Sequence, residues 1–99
     1  MLQRIWRCTI SPERSSEYEK FAREFSLPMF RDQPGFRGCV MSRVGGDCEV
    51  LTLWDDEASI EALQTSASYL STVAKIRAAG FVQEEHGSSV SPVHLAAFA

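Results

Sequence analysis

The chain of 99 residues is poor in almost every pattern that announces a chemistry. It has two histidines, His86 and His94, and their spacing matches no metal site. Its three cysteines, Cys8, Cys39 and Cys48, form neither a redox Cys-x-x-Cys nor a zinc knuckle. They read as small buried side chains, with Cys39 and Cys48 able to approach each other across a hairpin. Ser88, Ser89 and Ser91 lack a partner base, so hydrolase chemistry has no support. Ten scattered basic residues and a net charge of −3 leave no nucleic-acid footprint. No apolar run is long enough to span a bilayer, so no membrane partner is expected. The first residues, Met1-Leu2-Gln3-Arg4-Ile5-Trp6-Arg7, lack the apolar core of a signal peptide, and the expected location is the cytoplasm.

What remains is the pattern of one domain, residues 1–99, with a single core. Leu2 to Ile10 reads as a strand. Ser11-Pro12-Glu13 opens a helix, with Ser11 as cap and Pro12 at a position whose N–H is unpaired anyway. Tyr18, Phe21, Ala22 and Phe25 recur at helical spacing, and Pro28 is expected to loosen or end that helix at Leu27. Phe36–Val44 and Cys48–Trp54 are strands joined by Gly45-Gly46-Asp47, a hairpin turn. Helix follows from about Asp56 to Ala79, interrupted near Thr65-Ser66-Ala67-Ser68, with Tyr69, Leu70, Val73 and Ile76 on one face and Gly80 as C-terminal cap. A last strand falls within Gly87 to Leu95, after a turn at Glu84-Glu85-His86. Pro92 puts that strand at an edge or beside a bulge.

The order is β-α-β-β-α-β, the ferredoxin-like α+β class: a four-stranded antiparallel sheet with two helices on one face. The third strand is apolar on both faces, with Val50, Thr52 and Trp54 on one and Leu51 and Leu53 on the other. Two helices cover one face only. The bare face predicts a homodimer, sheet against sheet. The apolar ending from Val93 to Ala99 is expected to pack on a neighbour.

Three stretches resemble the antibiotic biosynthesis monooxygenase family of the dimeric α/β-barrel superfamily. They are Ile10-Ser11-Pro12-Glu13-Arg14-Ser15-Ser16-Glu17-Tyr18, Gln33-Pro34-Gly35-Phe36-Arg37-Gly38 and Leu51-Thr52-Leu53-Trp54-Asp55-Asp56-Glu57-Ala58. The resemblance implies a dimeric α/β barrel built through sheet packing and a pocket between sheet and helices. It also implies an oxygenase that needs no metal or flavin cofactor and acts on a small aromatic or quinone-type ligand. The alternative is a non-catalytic small-ligand-binding or accessory module on the same fold.

The family's helical histidine position falls on Leu63. The haem-degrading members' iron ligand falls near Val73, and their first-strand asparagine near Trp6. These differences argue against haem degradation. For cofactor-free oxygenation, Trp54 and Trp6 are candidate stacking walls, with Leu63 lining the same site. Arg4 and Arg43 are candidate anchors for a phenolate. Tyr69 and His86 are the candidates for proton transfer. Each has a plainer reading. Trp54 seals a junction, Trp6 is core or interface, Arg4 is a solvated strand residue, Tyr69 keeps its hydroxyl at the surface, and His86 is an exposed turn residue.

Overall fold

The computed structural model describes residues 1–99. Four strands, β1 (Leu2–Ile10), β2 (Phe36–Val44), β3 (Asp47–Trp54) and β4 (Val82–Pro92), form one antiparallel sheet in the order β2-β3-β1-β4. Each helical region is divided. The first comprises α1 (Ser15–Phe21), a π-helical segment (Ala22–Ser26) and α2 (Leu27–Arg31), after a short 3-10 turn at Pro12–Arg14. The second comprises α3 (Glu57–Thr65) and α4 (Ala67–Ala79). This is the ferredoxin-like sheet with flanking helices. The expected barrel is corrected: β2 and β4 are free edges, and the sheet is open. Four strands are too few to close around a packed interior, which takes about eight.

Strand alternation decides which side chains meet the helices. On β3, Cys48, Val50, Thr52 and Trp54 are buried, while Glu49, Leu51 and Leu53 are only half-buried. Only 14 of the 99 residues are buried, so one chain leaves much of its apolar surface uncovered. The buried residues form two clusters. Cys8, Ile10, Tyr18, Phe21, Cys48 and Phe81 make one; Met29, Phe30, Val50, Trp54, Ile60 and Leu63 make the other. Trp6 packs against both.

Of the two effects expected of Pro28, loosening is seen and ending is not: the first helical region widens before it and runs on to Arg31. Leu27 keeps helical geometry, and its N–H bonds the carbonyl of Ala22, five residues back. The wider π turn accommodates the missing donor and the ring of Pro28. It also turns Phe25 off the buried face, so Phe25 is exposed while Tyr18 and Phe21 are buried. Ser11 precedes the 3-10 turn, but its hydroxyl caps nothing and accepts instead from Gln83. The break between α3 and α4 falls on Ser66, whose hydroxyl accepts from the Tyr69 N–H. Gly80 ends α4 at φ 82°.

β4 begins earlier than expected, at Val82, so Glu84, Glu85 and His86 are strand residues. Its pairing to β1 slips between Trp6 and Cys8, which face Ser88 and Glu85. His86 and Gly87 therefore share one place opposite Arg7, and Gly87 takes φ 79°, the geometry of a glycine bulge. Cys39 pairs with Thr52 across the hairpin, and it is Cys8 that lies opposite Cys48. All three thiols are free. No helix is long and apolar enough to cross a membrane.

Gly35 opens β2 at φ 79°, and a Cβ there would collide with the Ser59 side chain of α3. Gly35→Ala is expected to cost at least about 1–2 kcal/mol in urea denaturation. Adding Ser59→Gly should recover only the steric share, because the backbone strain remains.

Candidate functional site

The two core clusters do not meet, and a cleft of about 260 Å³ opens between them on the helix-covered face. Its floor is sheet: Arg4 and Trp6 from β1, Met41 from β2, Val50 from β3, and Glu85, Gly87 and Ser88 from β4. Its walls are Tyr18, Ala22, Ser26, Met29 and Phe30 on one side and Tyr69, Thr72, Val73, Ile76 and Arg77 on the other. Ala22 and Ser26 both belong to the π segment, so the widened turn forms part of the rim. The volume is just under the roughly 300–1,000 Å³ of pockets for drug-sized ligands, which suits one or two rings.

Arg4 is the unusual group in this cleft. Its residue exposure is 5 %, although its strand position would suit a solvated arginine equally well. One terminal nitrogen donates to the Tyr69 hydroxyl at 3.0 Å, and the guanidinium carbon lies 5.6 Å from the centre of the Tyr69 ring. Its Nε is buried without any hydrogen-bond partner. The Tyr69 hydroxyl is thus turned inward, correcting its expected place at the surface. Arg4 is held from below by the core: Trp54 Nε1 donates to Thr52 Oγ1 at 2.8 Å, and Thr52 Oγ1 donates to the Arg4 carbonyl at 3.4 Å.

A charged pair also lines the cleft. Arg77 of α4 donates twice to Glu85 of β4, at 2.9 and 3.1 Å. The hydrogen bonds from Arg77 hold the Glu85 carboxyl below its ordinary range. Neither residue stood out in the sequence, because the bulge at His86 and Gly87 was needed to aim Glu85 at the helices. Met29 and Met41 went unremarked as cleft residues for a similar reason, since a methionine at a core position carries no signal for a site.

The other expected site residues are dispersed. Trp54 is completely buried, edge-on to Phe30 and Phe36 at 6.3 and 5.6 Å, and does not line the cleft. Leu63 is equally buried in the same cluster. Arg43 lies outside the cleft, bonded to Glu19 at 2.8 Å and to the Gly45 carbonyl at 2.8 Å. His86 is on the opposite face of the sheet, its Nε2 2.8 Å from Thr9 Oγ1. Alternation explains that placement, because Glu85 already takes the position facing the helices. The structure thus brings together Arg4, Trp6 and Tyr69 and separates them from Trp54, Leu63, Arg43 and His86.

No protein-family model matches this chain, and no curated protein matches it in sequence. Solved structures do match it in shape. SnoaB, a cofactor-independent oxygenase from Streptomyces nogalater, is 16 % identical, with a TM-score of 0.76 over 96 % of this chain and 94 % of its own. Rv0793 from Mycobacterium tuberculosis is 17 % identical, with a TM-score of 0.76 over 97 % and 98 %. An antibiotic biosynthesis monooxygenase is 18 % identical, with a TM-score of 0.70 over 98 % and 100 %. Identities this low show a shared fold. The resemblance read from the sequence is accordingly narrowed from family membership in a barrel superfamily to a likeness of architecture, with an open sheet.

Two outcomes are expected of the buried ionisable groups in and around the cleft. Arg4→Met keeps most of the volume and removes a charge whose Nε has no partner, so it should raise stability by about 1–2 kcal/mol in urea melts. Burial, first of all, pushes the Cys8 thiol from 9.0 to about 12. The unfolded chain releases that proton at lower pH than the folded one, so stability falls as pH rises from 9.0 through about 12. Tyr18, Cys39 and Cys48 are raised by burial too and act in the same direction. Cys8→Ala should flatten part of this decline in melts taken across the alkaline range.

Proposed function

We propose that the protein binds a small aromatic or quinone-type ligand in this cleft and acts on it as a cofactor-independent monooxygenase-like enzyme. The observation that carries the reading is the cleft itself: apolar, sized for one or two rings, and floored by Trp6 and Arg4. The fold it sits in is shared with SnoaB, which is a cofactor-independent oxygenase. Such chemistry needs a site that holds a ring, takes a proton from it and keeps water away. Trp6, Phe30 and Val50 supply apolar walls. Glu85 is the one carboxylate at the cleft, and Tyr69 the hydroxyl nearest Arg4.

A non-catalytic binding module is the second reading. It is favoured by one observation: Glu85 is held ionised by a two-pronged bond from Arg77, and His86 faces away, so no free base lines the cleft. Oxygen uptake decides between the two. With anthrone and a panel of hydroquinones, the enzyme reading expects consumption that depends on the protein and falls at least about tenfold in Glu85→Gln. Tight binding without uptake supports the binding module. Neither binding nor uptake removes both.

The same proposal includes a homodimer through the face of the sheet away from the helices. Val40, Leu51 and Ile5 lie in one row there, and Val40 is 61 % exposed. A cytoplasmic setting suits three free thiols. Sedimentation should give twice the chain mass, and Val40→Glu with Leu51→Glu should give monomers that still fold by circular dichroism. A wild-type monomer at micromolar concentration would remove this part.

A further inference from the structure

We infer that the natural occupant of the cleft is an organic anion, a small ring compound carrying one ionised acidic group that rests against Arg4 and Tyr69. This rests on the reading of the cleft as a ligand site and names the class of ligand.

Three ionisable groups of fixed sign line the cleft: Arg4, Arg77 and Glu85. Glu85 is engaged twice by Arg77, from across the α4–β4 corner. Arg4 has no carboxylate in contact, and the cleft keeps one positive charge in excess. An arginine side chain cannot shed that charge inside a protein, so burial cannot be relieved by loss of a proton. Buried charges are otherwise paired or hydrogen-bonded throughout. Here a residue 5 % exposed has one bond to a neutral hydroxyl and a bare Nε.

Geometry adds the second part. The Tyr69 hydroxyl accepts from Arg4, which leaves its own proton free to donate. A guanidinium with a neighbouring hydroxyl donor, set among Trp6, Phe30, Val50 and Ile76, fits a flat apolar body with an anionic end. A carboxylate and a phenolate or enolate present the same charged oxygen to this pair. Arg4 itself is 5 % exposed, so its attraction for an anion is screened less by salt than that of a surface arginine.

Matched probes test the assignment on the intact protein: 2-naphthoate against neutral 2-naphthamide, and 4-nitrophenol, whose colour reports its ionisation. Calorimetry and absorbance titration should find 2-naphthoate at least about tenfold tighter than the amide, as for a charge-assisted bond to a buried guanidinium. 4-Nitrophenol should bind as its phenolate below its free pKa if the acidic group is phenolic, and not shift if only carboxylates are taken; naphthoate preference with or without that shift supports the anion. Arg4→Met should abolish the preference, lowering naphthoate affinity at least about tenfold more than that of the amide. Tyr69→Phe, which leaves Arg4 in place, should keep part of the preference. Equal affinity for naphthoate and naphthamide, with no phenolate shift, overturns the anion and leaves the ligand cleft standing. No binding of any probe overturns the cleft as a ligand site and the anion with it.

Discussion

The indole of Trp54 fixes the register on which the cleft depends. It is wholly buried at the end of β3, edge-on to the stacked rings of Phe30 and Phe36, and its N–H is satisfied by Thr52 two residues back on the same face. Once that face is set, the period of two in β3 directs Thr52, Val50 and Cys48 toward the helices. Pairing carries the choice to β1, where Arg4 stands opposite Thr52 and Trp6 opposite Val50. A slip of one residue would send Arg4 to the open face and Leu51 and Leu53 under the helices. The polar chain from Trp54 through Thr52 to the Arg4 carbonyl ties the sealed half of the core to the floor of the cleft.

Why there is a cleft at all follows from how the helices are cut. α3 covers the Trp54 end of the sheet, and α1 covers the Ile10 end. Between them run the π segment and α4, whose residues facing the sheet are only half-buried. Pro28 widens the first helical region at this point, and Ser66 resets the direction of the second. The middle of the sheet is consequently left as the floor of a cleft walled by the two helical regions. Trp6 reaches both clusters and prevents the gap from collapsing.

The order of strands, their faces and the break at Ser66 were legible in the sequence because each is written in a short-range rule: alternation, capping or turn chemistry. β1 and β2 were read with their observed bounds for the same reason. The end of the first helical region was misread because the rule that a proline stops a helix holds for an α-turn, and a π turn escapes it. The site was legible only in part. Arg4 and Trp6 follow from alternation, and Tyr69 from the face of α4. Arg77 and Glu85 depend on a bulge in β4 that no local pattern announced. Trp54 was given a role at the rim because a strand-to-helix junction looks like an edge in one dimension. In three, Phe30 and Phe36 close over it.

The buried arginine is hard to account for by stability alone. A domain with 14 buried residues has a small core, and net stabilities of domains run to only about 5–15 kcal/mol. A charge with one neutral partner subtracts from that margin, whereas a methionine or leucine in its place would add to it. The remaining carboxylate at the cleft does not offset it, since Arg77 holds Glu85 through both oxygens. The fold thus surrounds Arg4 with apolar walls, fixes its backbone through Thr52 and keeps its head group short of partners. If the cleft takes an anion, as inferred, those three arrangements together would raise its affinity for the negative charge, and each would be a defect in a cleft meant to stay empty.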